Sequence, residues 1–249
     1  MQRYFLEEAY QPKERYEVQG EGYHHMVRVM RMANGRQVYL VFTNQTTIIA
    51  EIIEISEHSV YLKEIGKEQQ AKELPIQVTI ASGYPKGDKL EFIAQKVTEL
   101  GAHQFVGFPA QASVVKWDDK KLQKKQQRLE KIAQEAAEQS HRQVTPTITL
   151  FSSSQAFYKT LTQYDAILVA YEESAKQGEQ SQLVQTLKRL PLGATLLVIF
   201  GPEGGLSQKE VTILEAAGGR LCGLGPRILR CETAPLYLLS AVSYQFELQ

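Results

Sequence analysis

Thr195-Leu-Leu-Val-Ile-Phe-Gly-Pro-Glu-Gly-Gly-Leu-Ser-Gln-Lys-Glu210 decides how most of this chain is read. Its first six residues form a short apolar run with β-branched members, which fits a strand buried in a parallel sheet. Gly201 to Gly205 supplies a glycine/proline loop. Ser207 and Glu210 then match a capping box, in which each end satisfies an orphan backbone N–H, so a helix opens there. Gly218-Gly219 ends it. Strand, loop and helix in that order belong to an α/β sheet.

The alternation extends outward from this stretch. Ile76–Ala81, Phe105–Phe108, Ala166–Ala170 and Arg220–Leu224 are further strand candidates. Leu90, Ile93, Ala94, Val97 and Leu100 recur at helical spacing, and Gly101 is a suitable stop. A second helix over Asp118–Ser140 places Leu122, Leu129, Ile132, Ala133, Ala136 and Ala137 toward one side. A last helix begins near Thr233, whose hydroxyl is suited to cap it, with Pro235 tolerated in the first turn. Strands separated by helices imply a mainly parallel sheet covered on both faces.

The first third reads differently. Val38–Phe42, Thr47–Ile55 and Ser59–Glu64 are rich in Val, Ile, Thr and Tyr, with turn chemistry at Asn34-Gly35 and Thr43-Asn44. His24–Met32 suits a short helix, and the polar stretch Gly66–Glu73 has no hydrophobic period. The expected organisation is a small β-barrel domain over 1–72 and an α/β domain over 73–249.

Bulk composition excludes several classes. With 43% hydrophobic and 22% charged residues among 249, the chain is far from the disordered regime. No signal peptide opens it, and its most apolar run, Ala194–Phe200, is too short to cross a bilayer, so a cytoplasmic protein is expected. Cys222 and Cys231 have no histidine nearby in sequence, so neither a zinc site nor a disulfide framework is expected. The 28 basic and 28 acidic residues balance, against nonspecific coating of nucleic acid. Lys116–Lys131 nevertheless holds seven Lys/Arg against three Asp/Glu, which as a lone feature reads as a solvated helix face.

Ligands collect at the carboxyl ends of strands in open α/β sheets. Three late ends therefore matter: Val169-Ala-Tyr-Glu172, Phe200-Gly-Pro-Glu-Gly-Gly205 and Leu224-Gly-Pro-Arg-Ile-Leu-Arg230. No Gly-x-Gly-x-x-Gly follows the first α/β strand, and no Walker lysine loop is present, which excludes the common dinucleotide and P-loop sites.

Gly201-Pro-Glu-Gly-Gly-Leu-Ser207 followed by Leu224-Gly-Pro-Arg-Ile-Leu-Arg-Cys-Glu-Thr-Ala234 resembles the RsmE family of small-subunit ribosomal RNA uridine-N3 methyltransferases. So do Gln2-Arg-Tyr-Phe5, His25-Met-Val-Arg28, Tyr84-Pro-Lys-Gly-Asp-Lys-Leu-Glu91, Lys96-Val-Thr-Glu-Leu-Gly101 and Ala136-Ala-Glu-Gln-Ser-His-Arg142. The resemblance spans nearly the whole chain. It implies a PUA-like barrel followed by a SPOUT domain with a C-terminal trefoil knot, which periodicity does not show, and a homodimer. It also implies S-adenosyl-L-methionine as methyl donor, no metal, and 16S rRNA, in the assembled small subunit, as partner. Cys231 stands where the family often has another small residue.

Carried onto this sequence, the resemblance puts the cofactor against Ala170, Gly201, Glu203, Gly204, Gly205, Leu224, Gly225, Ile228 and Leu229. Arg230 is the candidate cation for charge developing on the uridine. Glu232 is the candidate proton acceptor, with Glu203 as a loop-fixing acceptor and His24 or His25 as alternatives from the barrel. Arg3, Arg28, Arg31, Lys86 and Arg142 are candidate RNA phosphate contacts, and Tyr4 or Phe5 a stacking surface for a splayed base. Three rivals stay open: a SPOUT enzyme acting on tRNA, a noncatalytic RNA-binding assembly factor, and an anion- or nucleotide-binding enzyme using the Gly-Pro-Glu-Gly-Gly loop.

Overall fold

The computed structural model describes residues 1–172 and 182–249. The chain divides into two compact units, Met1–Glu73 with Ala137–Val144, and Leu74–Ala136 with Thr145–Gln249. The expected α/β domain over 73–249 includes 137–144, a stretch that packs instead with the N-terminal unit.

That first unit is a five-stranded sheet in the order β1-β3-β4-β5-β2. Its strands are β1 (Arg3–Phe5), β2 (Tyr16–Val18), β3 (Gln37–Val41), β4 (Thr47–Ile55) and β5 (Val60–Lys67). Register shifts between β4 and β5, at Ile49/Ala50 and Ile52/Glu54, are the irregularities that bend such a sheet. Alternate residues Val38, Leu40, Ile48, Ala50, Ile52 and Leu62 fill the concave side. Strands β1 and β2 are the two ends of this order, so the expected barrel is a curled half-barrel rather than a closed one. Strand β5 also runs on to Lys67, into the polar stretch Gly66–Glu73, because Gly66 and Lys67 still pair with Ile49 and Ile48. The helix expected at His24–Met32 starts earlier, at Gly20, and widens into a π-helical turn over His24–Val29.

Two of the arginines expected to meet RNA are internal. Arg3, 1% exposed, donates to both carboxylate oxygens of Glu68 at 2.7 and 2.9 Å and to the Arg142 carbonyl at 3.2 Å. Its guanidinium lies 4.8 Å over the Tyr39 ring. Arg142, 2% exposed, pairs with Glu73, whose other oxygen accepts the N–H groups of Gln143 and Val144 at 2.8 and 3.1 Å. A charge this far from water persists because it is paired and hydrogen-bonded. These two guanidinium groups are occupied in pinning 137–144, which corrects the expectation that they contact phosphate. Tyr4 is corrected likewise: it is buried, its hydroxyl 2.9 Å from His25 Nδ1, and so offers no stacking face.

The second unit is a six-stranded, wholly parallel sheet in the order β11-β9-β10-β6-β7-β8. Its strands are β6 (Gln77–Gly83), β7 (Gln104–Phe108), β8 (Thr147–Leu150), β9 (Ala166–Ala170), β10 (Thr195–Phe200) and β11 (Arg220–Cys222). On β10, Leu196, Val198 and Phe200 enter one core while Leu197 and Ile199 enter another. The first core is shared with the helices Lys89–Glu99, Gln182–Arg189 and Ala234–Glu247, the second with Ser154–Tyr158 and Gln208–Ala216. A strand covered on both faces must be apolar throughout, which explains its unbroken hydrophobic run. The Asp119–Gln139 helix starts after Asp118, whose carboxylate accepts the Lys121 N–H at 2.8 Å. Thr233, expected to cap the last helix through its hydroxyl, is itself helical in φ and ψ and makes no such bond; a turn from Arg230 leads in instead. Among the described residues no helix is long and apolar enough to cross a membrane.

Replacing Arg142 with Ala should leave the Glu73 carboxylate short of its counter-charge inside the first unit. Because Glu73 keeps 22% side-chain exposure, the cost should fall at about 2–3 kcal/mol, below that of a fully buried pair. A drop on the order of 10 °C in that unit's thermal midpoint is expected, and circular dichroism on heating measures it.

Candidate active site

Parallel pairing brings the carboxyl ends of four strands into line. Phe200 stands level with Ser82 of β6 and Ala170 of β9, and Ala170 level with Cys222 of β11. The chain leaving those ends covers one shared opening, and a cavity of about 570 Å³ lies there, within the roughly 300–1,000 Å³ typical of small-molecule sites. All the residues expected to hold a cofactor line this cavity, and so do Arg230 and Glu232.

Local sequence explains the loop shapes. A Cβ on Gly201 would come 2.6 Å from the carbonyl carbon of Gly205, so only glycine lets the loop fold back on itself there. The turn is closed by the Gly205 N–H donating to the Pro202 carbonyl at 2.8 Å. Gly225 has φ +89°, a left-handed conformation that strains other residues. Behind the loop the capping box is complete: the Glu210 carboxylate accepts from the Ser207 N–H at 2.8 Å, and the Ser207 hydroxyl from the Glu210 N–H. The second Glu210 oxygen accepts the Gln111 N–H at 2.8 Å. One buried carboxylate thus fastens the helix start to the segment after β7.

The charged side of the cavity centres on a residue that the sequence reading did not single out. Lys89 Nζ lies 2.8 Å from Glu203 Oε1 and 3.5 Å from Glu232 Oε2. Glu203 also accepts the Lys86 N–H at 3.2 Å, and Glu232 accepts the Cys231 thiol at 3.2 Å. Burial works to raise the Glu203 carboxyl, but Lys89 and the backbone N–H groups of Glu203 and Lys86 outweigh it and hold it below the ordinary range. Glu232 shows the same contest: burial raises it, while its own backbone N–H, the Cys231 thiol and Lys89 bring it below normal. Lys89 is pushed up, chiefly by its hydrogen bond to Glu203. Burial and then the hydrogen bond to Glu232 push the Cys231 thiol up to about 12, so it stays protonated and donates.

This environment weighs against the role expected of Glu232. A carboxylate held below its usual range is a weak base, poorly matched to a proton that is hard to remove. Arg230 is placed differently: its side chain is 84% exposed at the cavity wall and 4.0 Å from Glu232, available to a ligand rather than locked in a tight pair. Leu224 and Leu229 are half-buried, whereas Ile228 is 73% exposed. Of the remaining candidates, Arg28, Arg31 and Lys86 are exposed, as is His24, while His25 is half-buried against Tyr4. Among the described residues no group of three or more His, Cys, Asp or Glu is placed to hold a metal ion. Lys89 had a legible signal, the Tyr84-Pro-Lys-Gly-Asp-Lys89 motif after β6. What the sequence lacked was the register that sets β6 beside β10.

Comparison with known proteins agrees with this geometry. A family model described as an RNA methyltransferase domain matches residues 72–243, and one described as an RNA methyltransferase PUA domain matches 18–65. The ribosomal RNA small subunit methyltransferase E of Bacillus subtilis is 50% identical over all of this chain and 98% of its own. The Synechocystis protein of the same name is 30% identical, over 90% of this chain and 71% of its own. A solved structure from Legionella pneumophila, described as that of a putative methyltransferase with the cofactor SAM bound, is 26% identical, covers 97% of this chain and 96% of that one, and superposes with a TM-score of 0.81.

The anchoring of the 201–206 loop can be tested apart from any ligand. Glu210→Ala leaves the Ser207 and Gln111 N–H groups without their acceptor, at a cost of about 2 kcal/mol. Faster amide hydrogen exchange across 201–207 is the expected local signature, together with a thermal midpoint lower by roughly 4–8 °C.

Proposed function

The chain belongs to the RsmE family of RNA methyltransferases, and on that premise we propose that it methylates N3 of a uridine in 16S ribosomal RNA, using S-adenosylmethionine. The observation that carries this reading is the single cavity into which the ends of β9, β10 and β11 all open, walled by two glycine loops and edged by an exposed arginine. Its chemistry fits the donor. Glycine loops bring backbone N–H and C=O groups close, Leu224 and Leu229 offer an apolar wall to an adenine ring, and the carboxylates of Glu203 and Glu232 suit a cationic ligand.

When bound, S-adenosylmethionine supplies an electrophilic methyl group, and the chain's work is positioning and charge stabilisation. Arg230, exposed at the cavity edge, would hydrogen-bond O2 or O4 of the uridine and stabilise the negative charge that appears as N3 loses its proton. The proton passes to solvent rather than to Glu203 or Glu232. Arg28, Arg31 and Lys86 are the phosphate contacts retained from the sequence, and their exposure supports them.

The same reading includes a homodimer and a trefoil knot over the C-terminal loops. Exposed Tyr237, Tyr244 and Leu248 on and beside the last helix support the first. The second is supported by the path of the chain, which passes to β11 outside β9 and then returns through 224–234 to the cavity walled by 201–205. The expected site of action is the small ribosomal subunit in the cytoplasm.

Calorimetry should give one S-adenosylmethionine per chain, and incubation with small subunits that lack the modification should place one methyl on a uridine of their 16S rRNA. Arg230→Ala should keep cofactor affinity within about twofold while slowing transfer by ~10²-fold. A methyl placed on tRNA would overturn the substrate, and unchanged turnover of the variant would remove Arg230 from the mechanism.

A further inference from the structure

We propose that Lys89 is a positioning residue that joins the two cofactor loops, 201–205 and 224–232, into one wall. The proposal rests on the function above and names how its site is held in shape. Lys89 belongs to neither loop. It is the first residue of the Lys89–Glu99 helix that follows β6, and it reaches Glu203, 114 positions away, at 2.8 Å and Glu232 at 3.5 Å.

A lysine is an odd choice for that place on local grounds. The first turn of a helix carries partial positive charge and favours acidic residues. The preceding Asp88 gives no side-chain cap to offset this. What compensates the cation is the pair of carboxylates, one from each loop. The 86–89 stretch grips Glu203 a second time through the Lys86 N–H, so the first loop is fixed to the end of β6. The second loop is attached to that body through Glu232, with the Cys231 thiol steering the same carboxylate oxygen.

Removing the ammonium would leave two partly buried carboxylates facing one another. The other charged or titratable groups around them are Arg230 and Cys231 from the second loop, Tyr171, Glu172 and Arg227 on the cavity wall, and Asp88 and the Lys86 side chain outside it. Arg230 is 4.0 Å from Glu232 and largely in solvent, so it compensates only one carboxylate, and weakly. Burial, which already works to raise both carboxyls, would then act with their mutual repulsion and against less opposition. The ordered, ligand-ready arrangement would hold a proton more tightly than the separated one. By linkage, its population would rise as pH falls. The native arrangement behaves in the opposite sense, because its carboxylates are held below their usual range and remain ionised through the mildly acidic region.

Calorimetric titration of the full chain with S-adenosylmethionine at pH 7.5 and 5.5 tests this. The unsubstituted protein should bind equally at both values. Lys89→Met should bind about fivefold more weakly at pH 7.5, the scale of a third-exposed ion pair, and recover most of that loss at pH 5.5. Lys89→Arg should stay within about twofold of the parent. Lys89→Met binding as well as the parent at pH 7.5 would overturn the proposal. So would a loss equal at both pH values and shared by Lys89→Arg, since that marks a local structural role. A parent protein that binds no S-adenosylmethionine would overturn the proposed function itself, a result distinct from either of these.

Discussion

The register of β10 between β6 and β9 is the constraint from which the site follows. All six strands of the sheet run parallel, so their carboxyl ends share one edge, and backbone pairing fixes which residues come level there. Phe200 ends beside Ala170, and Ala170 beside Cys222, so the chain leaves three neighbouring strands within one small region. A slip of one residue would exchange the two faces of β10, putting Leu197 and Ile199 where Leu196 and Val198 now pack. Two separate cores therefore enforce the register, and the placement of the loops is a by-product of hydrophobic burial.

Placement alone would leave the loops free to choose their own shapes, and polar contacts settle that choice. Glu210 answers for the start of the Gln208–Ala216 helix and for the segment after β7 with a single buried carboxylate. Close approach does the rest at Gly201, where any side chain would collide with Gly205. Electrostatics then differentiates acids that look alike in sequence. Burial alone would raise both Glu203 and Glu232 toward the neutral form; cationic and N–H partners reverse the outcome and keep them charged. The cavity is therefore anionic on the Lys89 side and cationic at the exposed Arg230 edge, which separates groups suited to a cationic donor from one suited to a developing anion.

Much of the second unit was legible because its signals are local. The runs 166–170 and 195–200 are strands with the bounds read from sequence, since residues buried on both faces leave an unbroken apolar record. Ser207 with Glu210 announced a helix start for an equally local reason. Strands β1, β2 and β8 were not read. They are three or four residues long, and their identity lies in partners far along the chain. The same limit hid Lys89, whose carboxylate partners are more than a hundred positions distant, and the return of 137–144 to the N-terminal unit. Thr233 shows a local signal failing: a residue suited to cap was used inside a continuous turn instead.

The buried arginines show why a basic residue in a family motif is not yet an RNA contact. Arg3 and Arg142 sit in motifs that read like binding determinants, yet both are spent on Glu68 and Glu73 inside one unit. Desolvating a guanidinium is tolerable only with a partner in place, so an arginine at 1–2% exposure is evidence for the carboxylate beside it. Phosphate binding asks for the reverse, a cation that stays hydrated until the ligand arrives and releases its counterions. Arg28, Arg31 and Lys86 meet that condition. A formal charge of zero over the whole chain is compatible with an RNA substrate, because a polyanion meets the exposed cations where they stand rather than the sum over the chain.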